Sequence, residues 1–324
     1  MRVVVVGATG ALGGELLAAL DETRLAIDVL VPIATERSIG TDVEFQGASM
    51  PVETTLDALR GAQLAFLCAP ASASLEAARV CLHAKVPAID CSGALALSPE
   101  VPLVAELHAP GTPPLDAPLL ALAPGASLAA ARVLGPIART FGLSRVVATL
   151  LESASAAGRM GVHALSEETI ALLSQQDAPD PPVLGHPVAF DVVPWIGEID
   201  EAGASAAERS FAAIVGRALG GVPIAVTALR MPVFCGEGVS LAIETVQPVE
   251  VSAALELLAK QDGIELGSAV PTTRAAAGSE AVHVGRVRRD PTRENGLLLW
   301  IAADGVRLTA AHAVRVAEAR FARV

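Results

Sequence analysis

The stretch RVVVVGATGALGGELLAAL, residues 2–20, decides how the start of this chain folds. Its four consecutive valines form an apolar, β-branched run that is typical of a strand buried on both faces. Gly7, Gly10 and Gly13 follow at the spacing G-x-x-G-x-x-G and lead into a helical pattern. Glycines at this spacing let the chain turn tightly, let the backbone approach a pyrophosphate and let the helix pack on the strand. The stretch therefore predicts a strand–turn–helix unit that binds a nucleotide.

The backbone N–H groups of this turn are the groups expected to hold the phosphates, because a helix N-terminus attracts negative charge. The candidate cofactor-binding residues of the turn are Gly7, Thr9, Gly10, Ala11, Leu12 and Gly13.

The loop after the next predicted strand, which covers residues 26–33, bears on the choice of cofactor. This loop meets the adenosine ribose in folds of this kind. Arg37, flanked by Thr35 and Ser38, favours NADP, because an arginine accommodates the 2′-phosphate. Glu36 favours NAD instead, since an acidic residue at this place binds the ribose hydroxyl of NAD. The loop therefore predicts NADP, with NAD less favoured and a solvated turn as the remaining alternative.

Composition excludes several classes of function. Hydrophobic residues make up 52% of the 324 residues, yet no apolar run approaches the length of a membrane-spanning helix. The net charge of −12 argues against a nucleic-acid partner, since a phosphate backbone requires a basic face. The four cysteines show no metal-ligand spacing and no C-x-x-C pair. We expect a cytoplasmic protein with reduced thiols and with no metal, membrane or nucleic-acid partner.

The first part of the chain alternates strand and helix patterns. Apolar runs over residues 63–68, 86–91 and 119–123 are accompanied by a helical pattern over residues 73–84. Such alternation implies βαβ units and a parallel sheet.

The pattern changes from residue 146, where strand candidates become longer and lie between helical segments. The apolar stretches of this part cover residues 145–155, 187–199, 223–234, 239–246, 281–290 and 296–304. We expect an α/β protein with two domains. Residues 1–125, joined by a closing helix over 306–324, form the nucleotide-binding domain, and residues 126–305 form an α+β domain with a largely antiparallel sheet.

Six segments of the chain resemble the aspartate-semialdehyde dehydrogenase family. They are VVVGATGALGGELL (4–17), EVPLVAELH (100–108), SAAGRMGVHAL (155–165), AFDVVPWIGE (189–198), RMPVFCGEG (230–238) and VGRVRRDPTRENGLLLWIAAD (284–304). The resemblance implies a Rossmann-type NADP domain, an α+β domain for catalysis and dimer formation, and a homodimer. Family members reduce an acyl phosphate to a semialdehyde through a cysteine thioester, with phosphate as the other product.

The residues that carry this chemistry in the family are replaced in this chain. The catalytic cysteine of the N-P-N-C-[ST] turn falls on Ala126, within the stretch APGAS (123–127). The acid–base histidine of R-x-P-V-x-x-G-H falls on Glu237, and the glutamine that orients the cysteine falls on Glu152. A thioester requires an activated thiol with a base beside it, so the resemblance predicts that no catalytic residue is intact.

Substrate-binding positions of the family are only partly retained. The arginine that binds phosphate falls on Ala96, and a glutamate of the helix before Arg230 falls on Ile214. Arg230 itself, which in family members holds the substrate carboxylate, is present. This combination places the chain with the Usg-type branch of the family, which lacks the catalytic cysteine.

Other residues are considered as replacements for the lost nucleophile. Ser127 is interpreted as a cap of the following helix, and Cys91 and Cys235 as small hydrophobic residues rather than relocated nucleophiles. Glu152 and Glu237 are expected to face each other as paired carboxylates. Such a pair serves acid–base work, binds a cation, or forms a structural salt-bridge cluster with Arg230.

Three hypotheses follow. The first is a family member with impaired catalysis that binds NADP, a partner or both. The second is an NADP-dependent oxidoreductase that uses a carboxyl as acid or base on a small carboxylate-bearing aldehyde or acyl substrate. The third is a structural dimer with an empty cofactor site, suggested by Pro70 and Ala71 where the family tends to have glycines.

Overall fold

The computed structural model describes residues 1–107, 109–177, 184–267 and 269–322. The chain divides into two compact units, one formed by Met1–Pro124 with Thr309–Val324 and the other by Gly125–Leu308. Compared with the predicted boundaries, Gly125 lies in the second unit and the return to the first unit comes at Thr309.

The first unit is built on a parallel sheet. Its elements are β1 (Arg2–Val6), α1 (Ala11–Asp21), β2 (Val29–Ile33), β3 (Asp42–Phe45), β4 (Ala48–Pro51), β5 (Leu64–Leu67), α2 (Ala71–Ala84), β6 (Ala88–Asp90), β7 (Leu103–Val104) and β8 (Leu119–Leu122). The strand order is β2-β1-β5-β6-β8-β7, and all of these strands pair in parallel. The predicted parallel sheet is confirmed. The antiparallel hairpin of β3 and β4 has no counterpart in the sequence prediction.

The valine run of β1 explains why this strand lies inside the sheet. Val3 and Val5 belong to one buried cluster, and Val4 and Val6 belong to a second cluster. Alternate residues of a strand point to opposite faces, so β1 is covered on both sides.

The second unit is built on a mixed sheet. Its elements are α3 (Gly125–Phe141), β9 (Leu143–Glu152), α4 (Gly158–Leu173), α5 (Ala206–Ala218), β10 (Ile224–Arg230), β11 (Glu237–Thr245), α6 (Val251–Leu258), β12 (Ile264–Leu266), α7 (Thr273–Ala276), β13 (Val282–Arg289) and β14 (Gly296–Ala303). The strand order is β10-β9-β11-β14-β13-β12. The three central pairings are antiparallel as predicted, whereas the outer pairings, β10 with β9 and β12 with β13, are parallel.

The two faces of the mixed sheet differ in burial. Val239, Leu241 and Ile243 of β11 are buried, and they lie beside the buried Leu299 and Ile301 of β14. On the other face, Ser240 and Ala242 of β11 and Leu298 and Trp300 of β14 are half-buried or exposed. One face therefore forms the core of this unit, and the other face is open.

The last helix, α8 (Gly305–Phe321), completes the first unit. Its residues Ala310, Ala313 and Val316 are buried in the same cluster as Val3 and Val5. His312 is also buried, and its Nε2 lies 3.0 Å from the carbonyl oxygen of Val104.

The apolar stretch 187–199 is the clearest departure from the sequence pattern. Its described residues form no strand and make only isolated bridges, Val193 with Arg230 and Ile199 with Ser205. The Glu168 Oε2 of α4 instead accepts hydrogen bonds from the N–H groups of Val188 and Ala189, at 2.7 and 3.0 Å. These contacts satisfy backbone donors that a strand would direct to a neighbouring strand.

No helix in the described ranges is long and apolar enough to cross a membrane.

Gly13 is expected to be essential for packing of the first helix on the glycine turn. A Cβ at Gly13 would lie 2.8 Å from the Cα of Ala8, whereas a Cβ at Gly216 of α5 would lie 3.5 Å from its nearest neighbour, the carbonyl oxygen of Val222. Both glycines are buried in helices. We expect Gly13→Ala to lower the free energy of unfolding by about 2–3 kcal/mol, since backbone must shift. Gly216→Ala is the matched control and should be neutral or stabilising, because alanine favours helix. Equal urea-unfolding midpoints for the two variants would contradict this account.

Candidate functional site

The glycine turn is held against the ends of two neighbouring strands. Gly7 has a φ of 86°, and a Cβ there would lie 2.6 Å from the backbone nitrogen of Ala69. The N–H groups of Gly7 and Ala8 donate to the carbonyl oxygen of Ile33, at 2.8 and 3.1 Å. Only glycine combines this backbone conformation with so close an approach. The turn is therefore a rigid cradle at the carboxyl edge of the parallel sheet, where α/β folds bind nucleotides.

The predicted cofactor residues of the turn and of the following loop lie together. The hydroxyl oxygens of Thr9 and Ser38 are 3.1 Å apart. Arg37 lies in a single 3₁₀ turn, Glu36–Ser38, with its side chain exposed. Ala11 and Leu12 form the first turn of α1, which Gly10 caps without a side-chain hydrogen bond. Backbone N–H groups at a helix start and an exposed arginine are groups of the kind that hold phosphates in proteins.

A second group of predicted residues lies at one edge of the mixed sheet. Glu152 ends β9, Arg230 ends β10 and Glu237 begins β11. Because β9 and β10 are parallel and β11 is antiparallel to β9, these three chain ends meet at the same edge. Arg230 pairs directly with Glu152 in the strand register.

Arg230 is engaged in this cluster. Its Nη1 donates to the carbonyl oxygen of Ser153 at 2.8 Å and lies 3.3 Å from Oε2 of Glu152. Burial raises the pKa of the Glu152 carboxyl, and the charge of Arg230 acts in the opposite direction. Both charged groups lose water when this ion pair is buried. The desolvation cost offsets much of their attraction, so the pair adds little to the stability of the fold.

Glu237 is a buried carboxyl with a strongly raised pKa. Its residue surface is only 6% exposed, and burial, followed by the charges of Glu152 and Asp304, raises the pKa of its carboxyl to about 8. The N–H of Ala126 donates to this carboxyl, and this bond and the charge of Arg230 both lower the pKa. Glu237 Oε2 is buried without a hydrogen-bond partner. The paired carboxylates that the sequence predicts are thus within electrostatic reach of each other, with Glu237 protonated at neutral pH.

The positions of Ala126 and Ser127 correct one detail of the sequence interpretation. Helix α3 begins at Gly125, so Ser127 lies inside its first turn and is buried rather than capping the helix from outside. Ala126, where the family resemblance places the nucleophile, is also buried. Gly125 has a φ of 47°, which lets the chain enter the helix directly from the strand end.

The four cysteines divide between the two units. Cys68, Cys81 and Cys91 are buried in the first unit, and burial raises the pKa of the Cys81 thiol to about 12 and that of Cys91 well above its usual range. A buried thiol with a raised pKa is a poor nucleophile. Cys235 is exposed, on the connection between β10 and β11.

No group of three or more His, Cys, Asp and Glu side chains in the described ranges is placed to hold a metal ion. His163 and His283 pair with single carboxylates, those of Glu167 and Glu265.

Sequence reasoning missed Asp304, Gly305 and Gly125 as parts of the site. Asp304 Oδ1 accepts the N–H of Arg307, so Asp304 caps α8, and it also acts electrostatically on Glu237. An acid followed by glycine before an apolar helical pattern is a helix-start signal that could have been read. The proximity of Asp304 to Glu237 could not be predicted from the sequence, since 67 positions separate residues 237 and 304.

Comparisons with known proteins match both units. Residues 2–110 match the family model of the semialdehyde dehydrogenase NAD binding domain, and residues 134–308 match that of the semialdehyde dehydrogenase dimerisation domain.

Relatives match along nearly the whole chain. An aspartate-semialdehyde dehydrogenase of Aquifex aeolicus is 30% identical, with 98% of this chain and 97% of the relative covered. A USG-1 protein homolog of Pseudomonas aeruginosa is 33% identical, with 96% and 94% covered. The crystal structure of aspartate semialdehyde dehydrogenase II from Vibrio cholerae, complexed with ASA, has a TM-score of 0.91 at 28% identity and covers 98% of this chain and 97% of that one.

The buried carboxyl should make stability depend on pH in an unusual direction. The pKa of Glu237 rises from 4.5 to about 8 on folding, so between these values the folded state holds a proton that the unfolded state releases. Stability therefore falls as pH rises through this window. Glu237→Gln removes this titrating group. The free energy of unfolding of the variant, relative to that of the wild type, should therefore increase from pH 4.5 to pH 8 and then level off. One pKa unit corresponds to about 1.4 kcal/mol, so the gain should reach a few kcal/mol.

The control for this pH dependence is Asp200→Asn. A hydrogen bond from the Ala204 N–H lowers the pKa of Asp200, so this variant should lose stability at neutral pH and match the wild type in acid. Urea unfolding between pH 3 and 9 measures both variants. A pH-independent difference between Glu237→Gln and the wild type would show that Glu237 does not titrate in this range.

Proposed function

The chain belongs to the aspartate-semialdehyde dehydrogenase family, and we propose that it keeps the nucleotide-binding and subunit-association functions of this family without its thioester chemistry. The observation that carries the proposal is the contact between Ala126, at the start of α3, and the buried carboxyl of Glu237. These are the positions at which the family resemblance expects the nucleophile and its base.

The chemistry of this pair supports the loss of the family reaction. An alanine cannot form a thioester, and a carboxyl with a pKa of about 8 already holds a proton at neutral pH, so it is a poor proton acceptor. Nucleophile and base work as one unit, so removing both lowers a rate by orders of magnitude. Ala96, at the expected phosphate anchor, removes a further interaction, since it is buried and uncharged.

The glycine turn supports retention of the cofactor site. Gly7 and Gly13 leave backbone space that a Cβ would fill, and Thr9 with Ser38 joins the turn to the loop of Arg37. We propose that these residues hold NADP, with Arg37 at the 2′-phosphate. A bound nicotinamide would supply or accept a hydride.

The remaining parts of the proposal concern partners and location. We propose a homodimer, supported by the dimerisation-domain match and by the open face of the mixed sheet. We propose that Arg230 binds the carboxylate of a small molecule, which would replace Glu152 as its ion-pair partner. The cytoplasmic location stays a prediction from the sequence.

One observation favours the second candidate function, an NADP-dependent oxidoreductase. Glu237 has a pKa of about 8 and lies within electrostatic reach of Arg230. A protonated carboxyl at this place could give its proton to the oxygen of an aldehyde or oxo acid as hydride arrives, while Arg230 holds the carboxylate.

An activity assay separates the two candidates. The purified protein is incubated with aspartate semialdehyde, NADP and phosphate, with the Vibrio cholerae relative as a positive control. We expect no NADPH above background, because Ala126 has no thiol with which to form the thioester. Phosphate-dependent turnover at an ordinary enzyme rate would overturn the proposal. Turnover that needs no phosphate, on a panel of small oxo acids and aldehydes, and that Arg230→Ala abolishes, would establish the second candidate.

A nucleotide titration tests the cofactor assignment. Nicotinamide fluorescence is followed with NADPH and NADH for the wild type, Arg37→Ala and the control Arg60→Ala, an exposed arginine paired with Asp57. A charge-assisted contact contributes about 1.5–3 kcal/mol, so Arg37→Ala should weaken NADPH binding by roughly tenfold or more and leave NADH binding unchanged. Absence of binding by either nucleotide to the wild type would favour the structural dimer with an empty site.

A further inference from the structure

Cys68 and Cys91 occupy matching places on two neighbouring strands of the first unit. They directly follow β5 and β6, whose last residues, Leu67 and Asp90, are register partners in a parallel pair. The N–H of Cys91 donates to the carbonyl oxygen of Leu67 at 3.0 Å, which continues this pairing beyond the two strands. Neighbouring strands lie about 4.8 Å apart, and a disulfide joins residues whose Cα atoms are about 4.4–6.8 Å apart. The backbone spacing at the two cysteines therefore suits a disulfide.

The two thiols lie on the same face of the sheet and interact. Both side chains belong to the buried cluster that contains Val3 and Val5. Burial raises the pKa of the Cys91 thiol well above its usual range, and a side-chain hydrogen bond with Cys68 and the charges of Cys68 and Asp90 act in the same direction. The two sulfurs are thus near neighbours while both cysteines are reduced.

The two thiols differ in their access to solvent. Cys68 is 8% exposed, whereas Cys91 is fully buried. Since the attack of a thiol on an oxidant depends on access, Cys68 is the thiol that an oxidant reaches first. Cys91 keeps its proton at neutral pH because its pKa is raised. Its position beside Cys68 makes up for this low nucleophilicity, because neighbouring groups react at a high effective concentration.

The pair also lies next to the glycine turn. The N–H of Cys68 donates to the carbonyl oxygen of Val6 at 2.8 Å, directly before Gly7. A Cβ at Gly7 would lie 2.8 Å from the carbonyl carbon of Cys68. Backbone segments packed this closely transmit displacement rather than absorb it. A shift of Cys68 towards Cys91 would therefore move the turn.

We propose that Cys68 and Cys91 form a redox pair that a peroxide converts reversibly to a disulfide, and that this bond displaces the glycine turn and weakens nucleotide binding. The effect on binding rests on the proposed function, because it assumes that the turn holds NADP. The formation of the disulfide does not depend on that assumption. Disulfides of this kind, which form and break, are the ones that occur in reducing compartments as redox sensors.

Hydrogen peroxide accepts the two electrons that the thiols lose. The Cys68 sulfur attacks one peroxide oxygen, the O–O bond breaks, and water leaves while Cys68 becomes a sulfenic acid. The Cys91 sulfur then attacks the Cys68 sulfur, the S–O bond breaks, and the departing hydroxide takes the Cys91 proton to form a second water. Two thiols and one peroxide thus give one disulfide and two waters, and a dithiol reductant reverses the oxidation.

Counting of free thiols tests the redox pair without a nucleotide. The full chain carrying Cys235→Ser, which removes the exposed cysteine, is treated with hydrogen peroxide, unfolded in urea with an alkylating reagent and analysed by mass spectrometry. Cys68 and Cys91 should escape alkylation and become reactive again after dithiothreitol, whereas Cys81 should be alkylated throughout. A linked pair of peptides that contains Cys68 and Cys91 identifies the bond.

Two variants in the Cys235→Ser background serve as matched controls. In Cys91→Ala no disulfide can close, so Cys68 should stop at the sulfenic acid, which dimedone traps. In Cys81→Ala, which removes another buried thiol of the same unit, the disulfide should form as before. Full alkylation of Cys68 and Cys91 after peroxide, or a disulfide that forms only after unfolding, would overturn the redox pair.

A titration with NADPH tests the effect on the glycine turn. The oxidised Cys235→Ser chain should bind NADPH several-fold more weakly than the reduced chain, and dithiothreitol should restore the affinity. The same peroxide treatment should leave the affinity of Cys91→Ala nearly unchanged, because no disulfide forms. Equal affinities of the oxidised and reduced chains would contradict an effect on the turn. A reduced chain that binds no NADPH would overturn the cofactor proposal and this effect with it, while thiol counting still decides on the redox pair.

Discussion

Burial of a carboxyl group where three strand ends meet is the constraint on which the candidate site depends. Glu237 opens β11 at the edge where β9 and β10 end, and it has lost nearly all contact with water. A carboxyl in this position responds to every charge around it, because little solvent screens the field. The protonation of Glu237 depends on the charges of Arg230 and Glu152, which form an ion pair with each other. Its carboxyl also fills the space beside the glycines that begin α3 and α8. A change in any of these groups alters the electrostatic balance of the others.

The first unit follows a different constraint, the close approach of backbone to backbone around the glycine turn. Gly7 contacts the end of β5, and Gly13 allows α1 to lie directly on the turn. The absence of a side chain at these two glycines is what allows the close packing. The glycine turn consists of backbone, whereas the thioester chemistry of the family requires particular side chains, so the two depend on different properties of the sequence.

Local patterns predicted the elements well where one signal dominated. The valine run of β1, the glycine spacing and the alternating strands of the parallel sheet appear as expected, since each rests on hydrophobic periodicity or on backbone freedom. Prediction failed where tertiary contacts outweighed the pattern. The stretch 187–199 is apolar enough for a strand, but its backbone donors bind Glu168 of α4, and Ser127 lies inside a helix that starts two residues earlier, at Gly125.

The sequence by itself determined the kind of fold, the glycine turn and which residues stand at the positions that the family resemblance marks as catalytic, because these are properties of residue identity and spacing. Only the tertiary structure decided what the replacements do. It brought Glu237 to the start of α3, placed Asp304 and Gly305 beside it from the far end of the chain, and engaged Arg230 with Glu152. The physical reason is that a pKa, a filled space and an ion pair depend on distances in space, and sequence separation does not fix those distances.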